Sequence, residues 1–151
     1  MSLREKFTAD LKDAMKAGEK TKVAAIRLIT AALKDRDILA RGEGKTVSDE
    51  DILALLQKMI KSRQESLEIY VKNNRPELAE TERSEIEVIT SYLPQQMDEA
   101  AVAEAIRAAI AETGAASIKD MGKVIGVLKG KYTGQMDFGK ASAAVKAALA
   151  G

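Results

Sequence analysis

The chain has 151 residues, 46% of them hydrophobic and 31% charged, with a formal net charge of +1. That length suits one domain or two small ones, and that composition argues for folding rather than disorder. Cysteine and histidine are both absent, which excludes disulfides, zinc sites of the usual kind, thiol nucleophiles and every catalytic arrangement built on a histidine. No apolar run approaches the roughly 18 residues of a membrane-spanning helix, and the first ten residues already carry Arg4, Glu5, Lys6 and Asp10, so a cytoplasmic protein without a membrane segment is expected.

Apolar residues recur at steps of three and four almost throughout, which predicts an all-α chain without strands. Ser2 and Glu5 open the first helix in a Ser-x-x-Glu capping box, Leu3, Phe7, Leu11, Ala14 and Met15 form its stripe, and Gly18 ends it. A second helix runs from about Thr21 to Arg41, with Val23, Ile26, Ile29 and Leu33 on one side and Gly42-Glu43-Gly44 after it. The third begins at Ser48, with Asp51 completing the cap and Val47 placed to staple onto Ile52. Its stripe of Ile52, Leu56, Met59, Arg63, Leu67 and Tyr70 is long enough for a helical hairpin or bundle. Asn73-Asn74-Arg75 breaks it, Pro76 starts the fourth helix, and Leu78, Ile86, Ile89 and Tyr92 lead to Leu93-Pro94.

Pro94 is the expected domain boundary, dividing an N-terminal helical hairpin or bundle of about four helices (1–93) from a small three-helix C-terminal domain (94–151). Beyond it the chain turns alanine-rich, with 15 of the 25 alanines. Asp98 caps the first short helix, which has Val102, Ala105, Ile106, Ala109 and Ile110 on its face and stops at Thr113-Gly114. Ser117 and Asp120 cap the next, with Met121, Val124, Ile125 and Leu128 inward. Asp137 caps the last, with Ala141, Val145, Ala148 and Leu149 inward.

The near-neutral total hides a charge pattern. Residues 1–47 hold 11 basic and 7 acidic groups and residues 48–93 hold 6 and 10, so the two halves of the N-terminal region are oppositely charged. From 117 to 151 six lysines face only Asp120 and Asp137, which makes both chain ends basic. The five aromatics, Phe7, Tyr70, Tyr92, Tyr132 and Phe138, are too few for a base-stacking platform.

The most unusual element is Gly122, Gly126 and Gly130, spaced by four within one helix. Interior glycines cost roughly 1 kcal/mol each relative to alanine, so something must require a bare backbone there. Small residues at this spacing predict close helix packing, with Ala143, Ala144 and Ala147 of the last helix as the opposing surface. The functional alternative is a smooth strip approached by a phosphate backbone or a partner helix, with Lys119, Lys123, Lys129, Lys131 and Lys140 as candidate contacts.

Other constellations carry less. Lys58, Lys61, Arg63 and Glu65 face the acidic run Glu77, Glu80, Glu82, Glu85 and Glu87 in a pattern that pairs across a hairpin. Acid–base chemistry there requires one buried carboxyl with a raised pKa. Asp49-Glu50-Asp51 fits a helix start better than a metal site. Ser62, Ser66, Ser84 and Ser117 have basic neighbours but no nucleophile elbow or phosphate loop around them. The chain therefore reads as non-enzymatic, with no cofactor or metal expected.

Four stretches resemble the YqeY family, also called the GatB/YqeY domain: Asp10-Leu11-Lys12-Asp13-Ala14-Met15-Lys16-Ala17, Lys61-Ser62-Arg63-Gln64-Glu65-Ser66, Tyr92-Leu93-Pro94-Gln95-Gln96 and Asp120-Met121-Gly122-Lys123-Val124. The resemblance implies an all-helical protein in two parts. Its C-terminal domain would be similar to the tail of the B subunit of the tRNA-dependent amidotransferase, a carbon–nitrogen ligase that uses glutamine as donor, and related domains are fused to some glutaminyl-tRNA synthetases. In those settings the tail contacts tRNA and the chemistry lies elsewhere. The resemblance thus implies a non-catalytic tRNA-binding module, working with an aminoacyl-tRNA synthetase or amidotransferase in trans. Its tRNA-facing side would comprise the Asp120–Val124 motif and the Gly134–Asp137 turn, including Lys119, Lys123 and Lys131. Gln135 stands where the family pattern implies a basic residue. The alternative is a helical protein–protein adaptor that binds no RNA.

Overall fold

The computed structural model describes residues 2–150. Among these are seven α-helices, one 3-10 turn and no strand, as the periodicity predicts. The helices are α1 (Leu3–Ala17), α2 (Lys20–Gly42), α3 (Asp49–Lys72), α4 (Pro76–Thr90), α5 (Glu99–Thr113), α6 (Met121–Tyr132) and α7 (Phe138–Ala150), with the 3-10 turn at Ile118–Asp120 immediately before α6. No helix among the described residues is long and apolar enough to cross a membrane. The chain divides into two compact units, Met1–Leu93 and Pro94–Gly151.

Helix starts follow local side-chain chemistry. The Ser2 and Ser48 hydroxyls accept from the Glu5 and Asp51 amides at 3.2 and 3.1 Å, and each carboxylate accepts from the serine N–H in return. Those reciprocal bonds satisfy amides that a helix start otherwise leaves open. They also hold the Asp51 carboxyl below its ordinary pKa. Gly18 ends α1 in the left-handed conformation, with φ +70°, which lets α2 start only two residues later.

In the first unit, Phe7, Ile26, Ile29, Leu33, Ile52, Leu56, Met59, Ile89 and Tyr92 form the core. Burying a large apolar side chain contributes roughly 1.5–3 kcal/mol. The fourth helix is shorter than its apolar pattern suggests, because α4 stops at Thr90 and Tyr92 lies in the turn that follows. There the Tyr92 ring meets Phe7 edge-on at 4.8 Å and its hydroxyl donates to Asp10 at 2.7 Å. The Lys6 ammonium lies 5.5 Å from the ring centroid. Burial, together with the carboxylate of Asp10, raises the Tyr92 pKa. Met15, predicted on the α1 stripe, is instead exposed.

Arg63 explains how a charged residue sits on the α3 stripe. Its Nε donates to Glu85 of α4 at 2.9 Å and its Nη1 to the Met59 carbonyl at 3.2 Å. One turn away on α4, Glu82 has one carboxyl oxygen shut away from solvent without a hydrogen-bond partner. Burial, and secondarily the charge of Glu85, raises its pKa above the ordinary 4.5.

The second unit has its own core: Ala105, Ile106 and Ala109 from α5, Val124 and Leu128 from α6, Met136, and Ala141 and Val145 from α7. Ala148, predicted to face inward, is exposed. Alanines on α5 and α7 let three short helices approach around few large side chains.

Two outcomes test the first unit. Tyr92→Phe removes the Asp10 bond and should lower stability by about 1 kcal/mol, whereas Tyr92→Ala should cost about 3–5 kcal/mol, both read from urea unfolding. Glu82 binds its proton more tightly folded than unfolded, so its contribution to stability falls as pH rises above about 4.5 through the raised folded pKa. Glu82→Gln should therefore be more stable than the parent at neutral pH, with the difference vanishing in acid. Equal unfolding midpoints across that range would count against it.

Candidate functional site

The site begins at the turn into α6. Asp120 Oδ2 accepts from the amides of Ala116 and Ser117 at 2.9 and 3.3 Å, which holds the Asp120 carboxyl below its ordinary pKa and fixes the chain direction as the helix starts. Asp120 is thus committed to the turn. Lys119 precedes it and is exposed.

Along α6 the sequence then sorts its residues by face. At about 100° per residue, with Met121 as zero, the apolar stripe centres near 0° and the three glycines fall between about 100° and 180°. Lys129 and Lys123 border the glycines, at about 80° and 200°. The first part of that arrangement is visible in the burial: Val124 and Leu128 are fully buried, while Gly122, Lys123, Gly126, Lys129 and Gly130 are exposed.

The glycine strip does not pack against another helix. A methyl group added at Gly122, Gly126 or Gly130 would meet no neighbouring atom within 4 Å. Ala143, Ala144 and Ala147, the predicted opposing surface, are themselves exposed. The packing expectation is therefore overturned. Its error lies in the register: α6 and α7 contribute Val124, Leu128, Ala141 and Val145 to the core, and that contact leaves the glycines on the opposite side of α6.

The five candidate lysines separate into three settings. Lys119, Lys123 and Lys129 are exposed and form no ion pair with any described residue. Lys131 lies at about 280°, toward α5, and binds Glu112 at 2.8 Å. That bond raises the Lys131 pKa. Both side chains are more than half exposed, so solvent screens the pair and Lys131 exchanges readily to another anion. Lys140 stands on α7, away from the strip, and lines a depression of about 400 Å³ between α5 and α7.

That depression includes Met136, which no predicted helix face contains, beside Val102 and Ile106 of the predicted α5 face. Met97, Val102, Ile106 and Met136 line it, with Gln96 and Gln135 at its edge. The Gln96 amide donates to the carbonyls of Pro94 and Gly134 at 2.9 and 2.6 Å, and the Met97 N–H donates to the Gln135 carbonyl at 2.9 Å. Gly134, with φ +79°, makes the turn that presents those carbonyls. The signal was available in the Tyr-Leu-Pro-Gln-Gln motif, where the second glutamine serves as a strut for the turn. Gln135 therefore has a structural role through its backbone.

The pairing predicted between α3 and α4 reduces to one ion pair, Arg63–Glu85. Glu82 has the raised pKa that acid–base chemistry requires, but its neighbouring carboxylate is held by Arg63. The arrangement is that of a bridge across a hairpin. No group of three or more acidic residues among the described residues is placed to hold a metal ion.

The chain thus folds as two small all-α units, the second of which carries a bare helix face edged by lysines. The chain belongs to the YqeY family, described as Yqey-like protein, whose sequence pattern matches residues 4–149. Among curated proteins it is similar to altered inheritance of mitochondria protein 41, mitochondrial, from three yeasts. The Lachancea thermotolerans protein is 40% identical over 86 residues, covering 57% of this chain and 45% of that protein. The Candida glabrata protein is 37% identical over 87 residues, covering 57% and 47%. The Vanderwaltozyma polyspora protein is 35% identical over 97 residues, covering 59% and 51%. The chain spans about half the length of the curated relatives it matches.

Because the space around it is open, Gly126→Ala should raise the stability of α6 by about 0.5–1 kcal/mol. Amide hydrogen exchange along α6 reads this directly. Slower exchange is the expected result, and faster exchange would mean that the glycine packs against something after all.

Proposed function

We propose that the second unit is a non-catalytic tRNA-binding module, accessory to an aminoacyl-tRNA synthetase or amidotransferase acting in trans. The observation that carries this reading is the exposed glycine strip bordered by unpaired lysines. Three glycines lower helix stability without any packing return, and Lys119, Lys123 and Lys129 present ammonium groups around a backbone that nothing covers. A phosphate chain can approach such a face closely and exchange its counterions for the lysines.

The aromatics argue for a folded RNA rather than a single strand. Phe7 and Tyr92 are buried in the first core, and Tyr132 and Phe138 pack against the second. Four of five rings are thus occupied, so recognition would proceed through shape and backbone, as suits the outer surface of a tRNA. The cytoplasmic setting rests on the sequence reading, and the mitochondrial name of the yeast relatives makes organellar translation the other setting to test.

The test is a titration of the full chain with folded tRNA and with an unrelated RNA duplex at several salt concentrations. Three phosphate contacts predict a log–log salt slope of about −2.1 to −2.7, or roughly 20- to 40-fold weaker binding for a fourfold rise in salt. Lys123→Glu and Lys129→Glu should each weaken tRNA binding. Lys140→Glu, on the α5–α7 side, should leave it unchanged. Equal affinity for both RNAs, or equal effects from all three substitutions, would remove the assignment.

A further inference from the structure

The outward face of α2 carries a second pattern, unrelated to the lysines of α6. Thr21, Ala24, Leu28, Ala31, Asp35 and Ile38 follow one another at alternating steps of three and four, the spacing of a heptad seam. All six are exposed, with Leu28 40% and Ile38 56% accessible. The inward positions, Ala25, Ile26, Ile29 and Leu33, are the ones buried in the core. The seam is therefore a second face of a helix whose first face is already used.

Beside this seam runs a row of cations at intervals of seven: Lys20, Arg27, Lys34 and Arg41. The row covers about 30 Å at 1.5 Å per residue and occupies one flanking position of every heptad. None of the four forms an ion pair with a described residue, although Arg41 lies close enough to Asp37 to help lower its pKa. At the start of the seam, where Gly18 turns the chain, a depression of about 410 Å³ opens over Met15, Val23 and Ala24. The charged groups at its rim, Lys20 and Arg27, belong to the same row. That hollow is large enough to seat a bulky apolar side chain.

We propose that this face of α2 docks an amphipathic helix of a partner protein, one with an apolar seam flanked by acidic residues. Charge selects the occupant. A second copy of this chain packed antiparallel would set the cation row against itself, and like charges at flanking positions oppose pairing. A nucleic-acid backbone would match the cations but leave Leu28, Ile38 and the Met15 hollow against phosphates. An acidic amphipathic helix meets both features, its carboxylates on the row and its apolar residues on the seam.

The experiment uses the full chain and two synthetic helical peptides, each four heptads long with leucine at the seam positions. One carries glutamate and the other lysine at every flanking position, and binding is read by fluorescence anisotropy. The glutamate peptide should bind about tenfold or more tightly than the lysine peptide. Arg27→Glu with Lys34→Glu cancels the charge of the row and should abolish that preference, and Leu28→Glu should weaken both. All three side chains are exposed, so circular dichroism should show folding unchanged. Equal binding of the two peptides, or a preference that survives charge reversal, overturns the proposal. So does a concentration-dependent dimer abolished by Leu28→Glu, which assigns the face to a second copy. An RNA duplex whose binding, unlike that of the peptides, is lost on reversal assigns it to nucleic acid and also overturns the proposal.

Discussion

The contact between Tyr92 and the first helix organises the first unit. It joins residues 82 positions apart, bringing the turn after α4 onto Phe7 and Asp10 of α1. α1 buries Phe7 and Ala14 and lays Leu3 and Leu11 against the same core. Tyr92 adds a ring that offers an apolar edge to Phe7 and a hydroxyl to Asp10 at the same time. Phenylalanine supplies the first and serine the second, but only tyrosine supplies both. With α1 held in this way, the opposite side of α2 is free of internal partners.

Narrow apolar stripes on every helix have a general consequence here. Two small cores bury one face of each helix, and the remaining faces are available for something else. On α6 that face is bare glycine backbone between lysines, and on α2 it is a seam of Ala24, Leu28, Ala31 and Ile38, interrupted by Asp35, beside a cation row. These are different chemistries. The first has no side chains to bury and suits a highly charged polymer, whereas the second has apolar groups whose burial would contribute to affinity.

Charges divide along the same line. The cations and acids that fold the chain are already engaged: Arg63 with Glu85, Arg4 with Asp37, Asp51 and Asp120 with helix-start amides. Among those that form no ion pair with a described residue are Lys20, Arg27, Lys34 and Arg41 of α2 and Lys119, Lys123 and Lys129 at the glycine strip. Exposed ion pairs contribute little to stability, so leaving these cations unpaired is inexpensive for folding and useful for binding.

Much of the fold was legible in the chain itself because it rests on short-range rules. Ser2, Ser48 and Asp98 announce helix starts through bonds to amides three residues away, and the glycines after α1 and α5 end them in the same local way. The all-helical class and the buried stripes followed from periodicity, as did the lysine-edged glycine strip. What local pattern could not settle was which face meets which. Spacing by four at Gly122, Gly126 and Gly130 is compatible both with close packing and with open exposure, and only the register of α6 on α7 turned it outward. The same holds for Tyr92, whose periodicity continues α4 although its partners lie on α1, and for Lys131 and Lys140, which share the basic segment but not the strip. The sequence by itself determined where helices begin, end and carry apolar residues, since those depend on neighbours a few positions away. The tertiary structure alone decided which surfaces stay uncovered, because that depends on how helices distant in the chain pack together.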